Sequence, residues 1–262
     1  LEVYTQTIPT PADFLLENIK IQTNLIEISF KKNVKRLLFL GSSCIYPKYA
    51  KQPIAEEELL SGKLEKTNQA YAIAKIAGIK LIESYRKQYG FDCIALMPTN
   101  LYGYGDNYNI RNSHVVAAMI KRFVDAKNSS IDSVTCWGSG SPFRELLNVD
   151  DLAKACLYSL EKWDPSKKES PRIFEDEELS YLNVGSKDEI SIKDLANLVS
   201  ELVQYSGSII WDQSKPDGTP RKKLNYDRFK SLGWERSIEL RKGLEETIEI
   251  YKSNYKNGSL RY

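Results

Sequence analysis

Histidine is nearly absent from this chain: His114 is the only one in 262 residues. Cysteine is scarce too, and the four thiols (Cys44, Cys93, Cys136 and Cys156) lack the close pairs that metal sites use. No metal is therefore expected. The thiols read as reduced groups of a cytoplasmic protein, three of them as core residues. No apolar run reaches the ~18 residues a spanning helix needs, and no basic-then-apolar leader opens the chain. A membrane partner is not expected. Net charge is only +2, which argues against a nucleic-acid surface. Internal repeats are lacking as well.

What is present is ordinary for a globular protein: 42% hydrophobic and 27% charged residues. The length fits one large or two intimately packed domains. Thr10-Pro11 followed by apolar periodicity predicts a helix over 12–30, with a cap residue and proline at its first position. Residues 35–40 are a short apolar run of the kind buried on both faces of a parallel sheet. A polar loop at 46–67 leads to a long helix at 68–89 that Gly90 ends. Residues 93–97 form the next strand, stopped by Pro98. This alternation argues for an α/β fold with a doubly wound parallel sheet.

After Pro98, residues 99–112 are rich in Asn, Tyr and Gly, a binding-loop composition. Ser113 is expected to cap a helix to about 127. A strand at 134–137 then runs into the turn Gly138-Ser139-Gly140-Ser141-Pro142. Asn148 to Asp151 caps a helix to about 163, and the charged, proline-containing stretch 164–178 reads as an exposed insertion. Strands at 181–184 and 208–211, a helix from Ser191 to 205 and two final helices complete the chain.

One element of a dinucleotide-binding fold has no counterpart. Such folds open with a strand, a Gly-rich turn and a helix whose N-terminus holds the pyrophosphate. Gly103-Tyr104-Gly105 follows no strand-to-helix junction and does not substitute. The expectation is a chain that begins mid-fold with a polar segment, N-terminally incomplete by roughly two βαβ-type units of ~30 residues each.

The chemistry concentrates around Ser42. It lies at the carboxyl end of the first strand, where open α/β sheets put their ligands. Tyr71 and Lys75, four apart on the following helix, leave the same face one turn from each other. A nearby cation stabilises a phenolate, so Lys75 is expected to lower the pKa of Tyr71. Hydroxyl, phenol and ammonium together suggest carbonyl/alcohol redox chemistry. The pairs Tyr158/Lys162 and Tyr226/Lys230 share the spacing but follow no serine cluster, and they read as helix surface.

These residues sit in stretches that resemble a known family. LFLGSSCIYPK (38–48), AYAIAKIAGIKLIESYRKQYG (70–90), MPTNLYG (97–103), NSHVV (112–116), WGSGSPFRELLNVDDLA (137–153), NVGS (183–186) and SKPDGTPRK (214–222) resemble the extended short-chain dehydrogenase/reductases. Within them, GSSCIYP and SKPDGTPRK are similar to the GDP-L-fucose synthase family. The resemblance implies a Rossmann-like NADP-binding domain, of which 1–103 and 145–186 would be the remainder. A smaller sugar-nucleotide-binding domain would comprise 104–144 and 187–262. It further implies NADPH-dependent 3,5-epimerisation and 4-reduction of a GDP-4-keto-6-deoxy-sugar, in a homodimer built on the helices at 11–30 and 68–89. The alternatives are another nucleotide-sugar epimerase or dehydratase of this superfamily, or a non-catalytic sugar-nucleotide-binding remnant.

Residue by residue, the resemblance makes Cys44 and His114 the acid and base of epimerisation. Tyr71 becomes the proton donor of reduction, Ser42 its hydrogen-bonding partner and Lys75 the ribose ligand. Leu40, Gly41, Ser42, Ser43, Lys75, Pro98, Thr99, Asn100, Leu101 and His114 would border NADP(H). Arg122, Trp137, Arg144, Asp217 and Lys222 would contact the GDP-sugar. Ser208 stands where family members carry a cation.

Overall fold

The computed structural model describes residues 10–109, 112–174 and 177–262. The polar lead-in expected before residue 10 lies outside them. In chain order the elements are α1 (Pro11–Lys31), β1 (Leu37–Leu40), α2 (Gln69–Tyr89), β2 (Cys93–Pro98), β3 (Asn100–Tyr102), α3 (Val115–Asn128), β4 (Ser133–Trp137) and β5 (Phe143–Asn148). There follow α4 (Val149–Lys162), β6 (Arg172–Ile173), β7 (Glu177–Glu178), β8 (Tyr181–Val184), β9 (Glu189–Ser191), α5 (Ile192–Val203), β10 (Ser208–Asp212), β11 (Arg221–Lys222), α6 (Asp227–Ser231) and α7 (Leu240–Lys256).

β1, β2 and β8 form a parallel sheet in that order, with Leu37 opposite Cys93 and Ala95 opposite Tyr181. β2, in the middle, is buried along its whole length, as a strand with neighbours on both sides and helices on its faces must be. β1 differs from expectation. It is only half-buried, and Leu40 is exposed, because β1 is an edge strand among the described residues. β5 is flanked by β3 and β11, both parallel to it, and by antiparallel β9. β4 pairs with β10. The expected exposed insertion is instead partly structured: β6 and β7 pair, and Ile173 joins the core.

Two apolar cores fill the molecule. One lies around β2, β8, α2 and α4 and includes Phe229 and Trp234 from the C-terminal region. The other joins α3, α5 and α7 through Phe123, Leu195, Val199 and Leu244. Caps fix the helices that lead from the sheets. Asn148 accepts the amide of Asp150 to start α4, and Ser191 accepts that of Asp194 to start α5. Gly90, at φ 65°, ends α2 in the left-handed conformation. The start of α3 differs from the sequence reading: His114, not Ser113, is the residue that enters the helix.

α1 packs along α2 because a glycine lets it. A Cβ at Gly78 would meet Phe39 at 2.7 Å and Gln22 at 3.0 Å. Gln22 is itself buried and donates to the carbonyl of Ala74 at 2.6 Å. Gly78→Ala should gain up to ~1 kcal/mol of helix propensity, but overpacking typically costs 1–3 kcal/mol. Packing wins, so the expected result is a net loss of stability in denaturant titration; a more stable variant would contradict the contact.

Candidate active site

The carboxyl end of β1 is where the chain turns from sheet to chemistry. Ser42 is extended and caps a short 3-10 turn, Ser43–Ile45, its hydroxyl accepting the amide of Cys44 at 3.2 Å. The turn fixes Cys44 beside the serine. α2 delivers Tyr71 to the same place, where its phenol and the Ser42 hydroxyl line one cavity. Burial pushes the phenol up to about 12, the Cys44 sulfur adds to the rise, and the Ser42 contact opposes it.

This direction overturns the expected effect of Lys75. Its ammonium lies 5.7 Å from the centre of the Tyr71 ring and 4.8 Å from that of Phe39. It donates to the Leu40 carbonyl at 3.1 Å, and burial lowers its own pKa. The charge is engaged by a backbone oxygen while desolvation governs the phenol. At neutral pH Tyr71 is therefore a phenol, a proton donor.

Two adjoining cavities open here. The larger, about 360 Å³, is lined by Gly41, Ser42, Ser43, Cys44, Tyr71, Pro98, Thr99, Asn100, Leu101, His114 and Arg144, with Phe14 and Asn68 at its margin. The smaller, about 100 Å³, is lined by Cys44, His114, Asn68, Asn100 and Lys222 among others. Cys44 and His114 thus border both spaces. The exposed imidazole is set there by its place at the first turn of α3. Leu40 and Lys75 line neither cavity; they are joined to each other by the bond from the ammonium to the Leu40 carbonyl.

The remaining candidates are placed less uniformly. Lys222 donates to the Cys44 sulfur at 3.2 Å, a contact no sequence pattern suggested across so many residues. Arg144 is buried, and its guanidinium donates to the carbonyls of Phe143 and Thr219, each at 2.7 Å. Asp217 accepts the amide and hydroxyl of Ser139 at 2.9 and 2.7 Å, tying its loop to the Gly-Ser turn. Gly138 is needed there, since φ is 80° and a Cβ would meet the Asp217 carboxylate at 2.4 Å. Trp137 is half-exposed, with Arg122 at 6.0 Å and Lys215 at 5.5 Å from its ring. Burial lowers the pKa of Arg122, whose guanidinium donates to the Thr135 carbonyl. Ser208 bonds the Asp132 carbonyl and lines neither cavity. Lys215 and Glu145 went unnoticed in the sequence. Lys215 lies within the SKPDGTPRK stretch and Glu145 within the WGSGSPFRELLNVDDLA stretch, so the motifs held the signal.

The family model for the "NAD dependent epimerase/dehydratase family" matches residues 2–175. The chain belongs to this family. Among its relatives, GDP-L-fucose synthase 1 of Arabidopsis thaliana is 49% identical over 247 residues, 94% of this chain and 72% of that protein. GDP-L-fucose synthase of Escherichia coli is 48% identical over 244 residues, 93% of this chain and 75% of that protein. A solved GDP-mannoheptose C4 reductase from Campylobacter jejuni, with NADP bound, superposes with a TM-score of 0.81 at 35% identity, covering 94% of this chain and 76% of that one. The Rossmann-like α/β architecture is common to them.

The residues present fit the reactive end of the family's cofactor. The larger cavity falls within the ~300–1,000 Å³ of ligand clefts. Glycine, proline and small polar side chains border it, and a phenol and a hydroxyl converge on it. No group of side chains able to hold a metal occurs among the described residues, and none of their helices is long and apolar enough to cross a membrane.

Proposed function

We propose that this chain is the catalytic body of an NADPH-dependent GDP-L-fucose synthase, converting GDP-4-keto-6-deoxy-D-mannose by 3,5-epimerisation and 4-reduction. The observation that carries the reading is the shared lining of the two cavities. A plain ketone reductase needs only a phenol and its hydroxyl partner. Here a thiol and the chain's sole imidazole border the same space, and an acid–base pair is what inversion next to a carbonyl requires.

Each residue then has a task. Cys44 and His114 exchange the protons on the two carbons flanking the ketone, one removing a proton and the other returning one on the opposite face. Tyr71 gives its phenolic proton to the ketone oxygen, which Ser42 holds by a hydrogen bond. NADPH, when bound, supplies the hydride to C4. Pro98, Thr99, Asn100 and Leu101, with Gly41 and Ser43, would border its nicotinamide end, and Lys75 would hold the ribose. Arg122 and Arg144 are assigned to the diphosphate, where guanidinium forks suit phosphate oxygens, while Lys222, beside Cys44, is assigned to the sugar end of the substrate. Trp137 offers a stacking surface, and Asp217 shapes the loop that closes over the nucleotide.

The division of labour proposed has 1–103 and 145–186 seating the cofactor and 104–144 and 187–262 the sugar nucleotide, with Phe229 and Trp234 packed into the first core and Tyr102 and Leu146 into the second. Such a biosynthetic reaction is placed in the cytoplasm. The assembly proposed is a homodimer through α1 and α2, because α1 exposes Ile21, Leu25 and Ile28 on one stripe, each more than half-exposed. Sedimentation should give twice the chain mass, and Leu25→Glu should halve it. A monomer across a wide concentration range would contradict this assembly.

The function is tested by mixing the protein with NADPH and GDP-4-keto-6-deoxy-D-mannose and following NADPH absorbance. Oxidation that depends on the sugar nucleotide is expected; its absence would overturn the reading.

A further inference from the structure

We propose that Glu145 is a positioning residue that locks the segment bearing Lys222 onto Cys44, making the ammonium–sulfur contact a built part of the epimerising site. The inference rests on the reading of Cys44 as an acid–base group, and it adds a residue to which that reading gives no task.

Glu145 is fully buried in β5. One carboxylate oxygen accepts the amides of Ser186 and Lys187, at 2.8 and 3.0 Å. The other accepts the amide of Leu224 at 3.0 Å. Its main-chain carbonyl takes the side chains of Thr99 and Asn100, both at 3.1 Å. One residue therefore joins the end of β2, the loop after β8 and the end of β11. Thr99 and Asn100 line the larger cavity, and Leu224 stands two residues beyond Lys222.

The surroundings are shaped to admit this carboxylate. A Cβ on Gly185 would lie 2.6 Å from it, so a glycine is required there. Lys187 adopts φ 77°, a conformation that costs a non-glycine residue of order 1–3 kcal/mol, and its amide points to Glu145. Burial raises the carboxyl's pKa, and the three amides oppose that rise. A buried charge held by amides from two other segments fixes both segments, since each amide that let go would leave an unpaired group.

Arg144, the preceding residue, grips the same segment at its other end through the Thr219 carbonyl. In the parallel pairing Lys222 lies directly beside Arg144, so the two side chains leave the same face of the sheet. Between these grips, Lys222 has little freedom, and its ammonium meets the Cys44 sulfur. The contact gives the Cys44 sulfur a hydrogen-bond donor at 3.2 Å, which holds the side chain in one place at the mouth of both cavities.

A staple that merely stabilises the fold would have no specific link to Cys44, and that separates the two accounts. Alkylation of Cys44 by iodoacetamide, read on its own peptide by mass spectrometry, reports the reactivity of that sulfur without any substrate. Failure of the GDP-sugar assignment therefore leaves this result readable, and the reverse also holds. Glu145→Gln keeps the shape but turns an amide NH2 toward an N–H donor. Lys222→Met removes the ammonium. Each should slow alkylation about three- to tenfold, and the double variant should be no slower than Lys222→Met alone, the signature of two residues acting through one contact. If Glu145→Gln fails to fold by circular dichroism, Glu145→Asp, which withdraws both oxygens by one methylene, carries the same comparison. Wild-type alkylation in the Glu145 variant, or effects that multiply in the double variant, would overturn the proposal.

Discussion

Tyr71→Phe should cut sugar-dependent NADPH oxidation by about 10²–10⁴, the usual worth of a positioned general acid. The substitution removes one oxygen and leaves the ring, so packing changes little. The phenol is held up to about 12 by burial, so at neutral pH it carries its proton and can release it only to a strongly basic oxygen, such as the one that forms when the ketone accepts hydride. The pH dependence follows in sign. Reduction should not lose its acid through titration of Tyr71 until the pH approaches that alkaline value, and a loss of rate near pH 7 would have to come from another group. Exchange of sugar protons with solvent should continue in the variant, because Cys44 and His114 remain. A fall of less than tenfold in NADPH oxidation, or loss of exchange together with reduction, would contradict the assignment of roles.

Cys44→Ser should remove the other half of the chemistry. A hydroxyl occupies nearly the same space and leaves the Ser42 cap on the amide of residue 44 in place, but it is a far weaker acid than a thiol. Solvent exchange at the carbons beside the ketone should fall by about 10²–10⁴, and any product formed should carry no solvent deuterium. Lys222 would face an oxygen in place of sulfur, so the positive charge remains while the acidity of the thiol is lost. Deuterium uptake followed by mass spectrometry decides it. Exchange at the wild-type rate would show that the thiol is a bystander.

Much of this architecture was written in local pattern. The apolar run of β2, the spacing of Tyr71 and Lys75, and the glycine after α2 each act over a few residues. The motif stretches marked the cysteine and histidine that the fold then brings to the same cavities. The elements missed have a common physical cause. β5 was hidden because Arg144 and Glu145 interrupt its apolar run, and charged residues in a strand argue for solvent unless their partners are known. Those partners are backbone groups of remote segments, which no window can contain. The influence of Lys75 on Tyr71 was misjudged for the same reason. Spacing fixes which side chains share a face, but the sign of a pKa shift depends on how much water the fold removes, and here desolvation exceeds the charge. β1 was read as fully buried because its composition resembles that of β2, whereas burial depends on a neighbour at each edge.

The central claim is that one site both inverts and reduces. It is tested most directly by running the reaction in D2O with NADPH and GDP-4-keto-6-deoxy-D-mannose and weighing the product by mass spectrometry. The account predicts one NADPH oxidised per product, and a product that retains two deuterium atoms on carbon, one at each position flanking the reduced ketone. Oxidation of NADPH with no deuterium retained on carbon would mean a reductase alone, and would contradict the account.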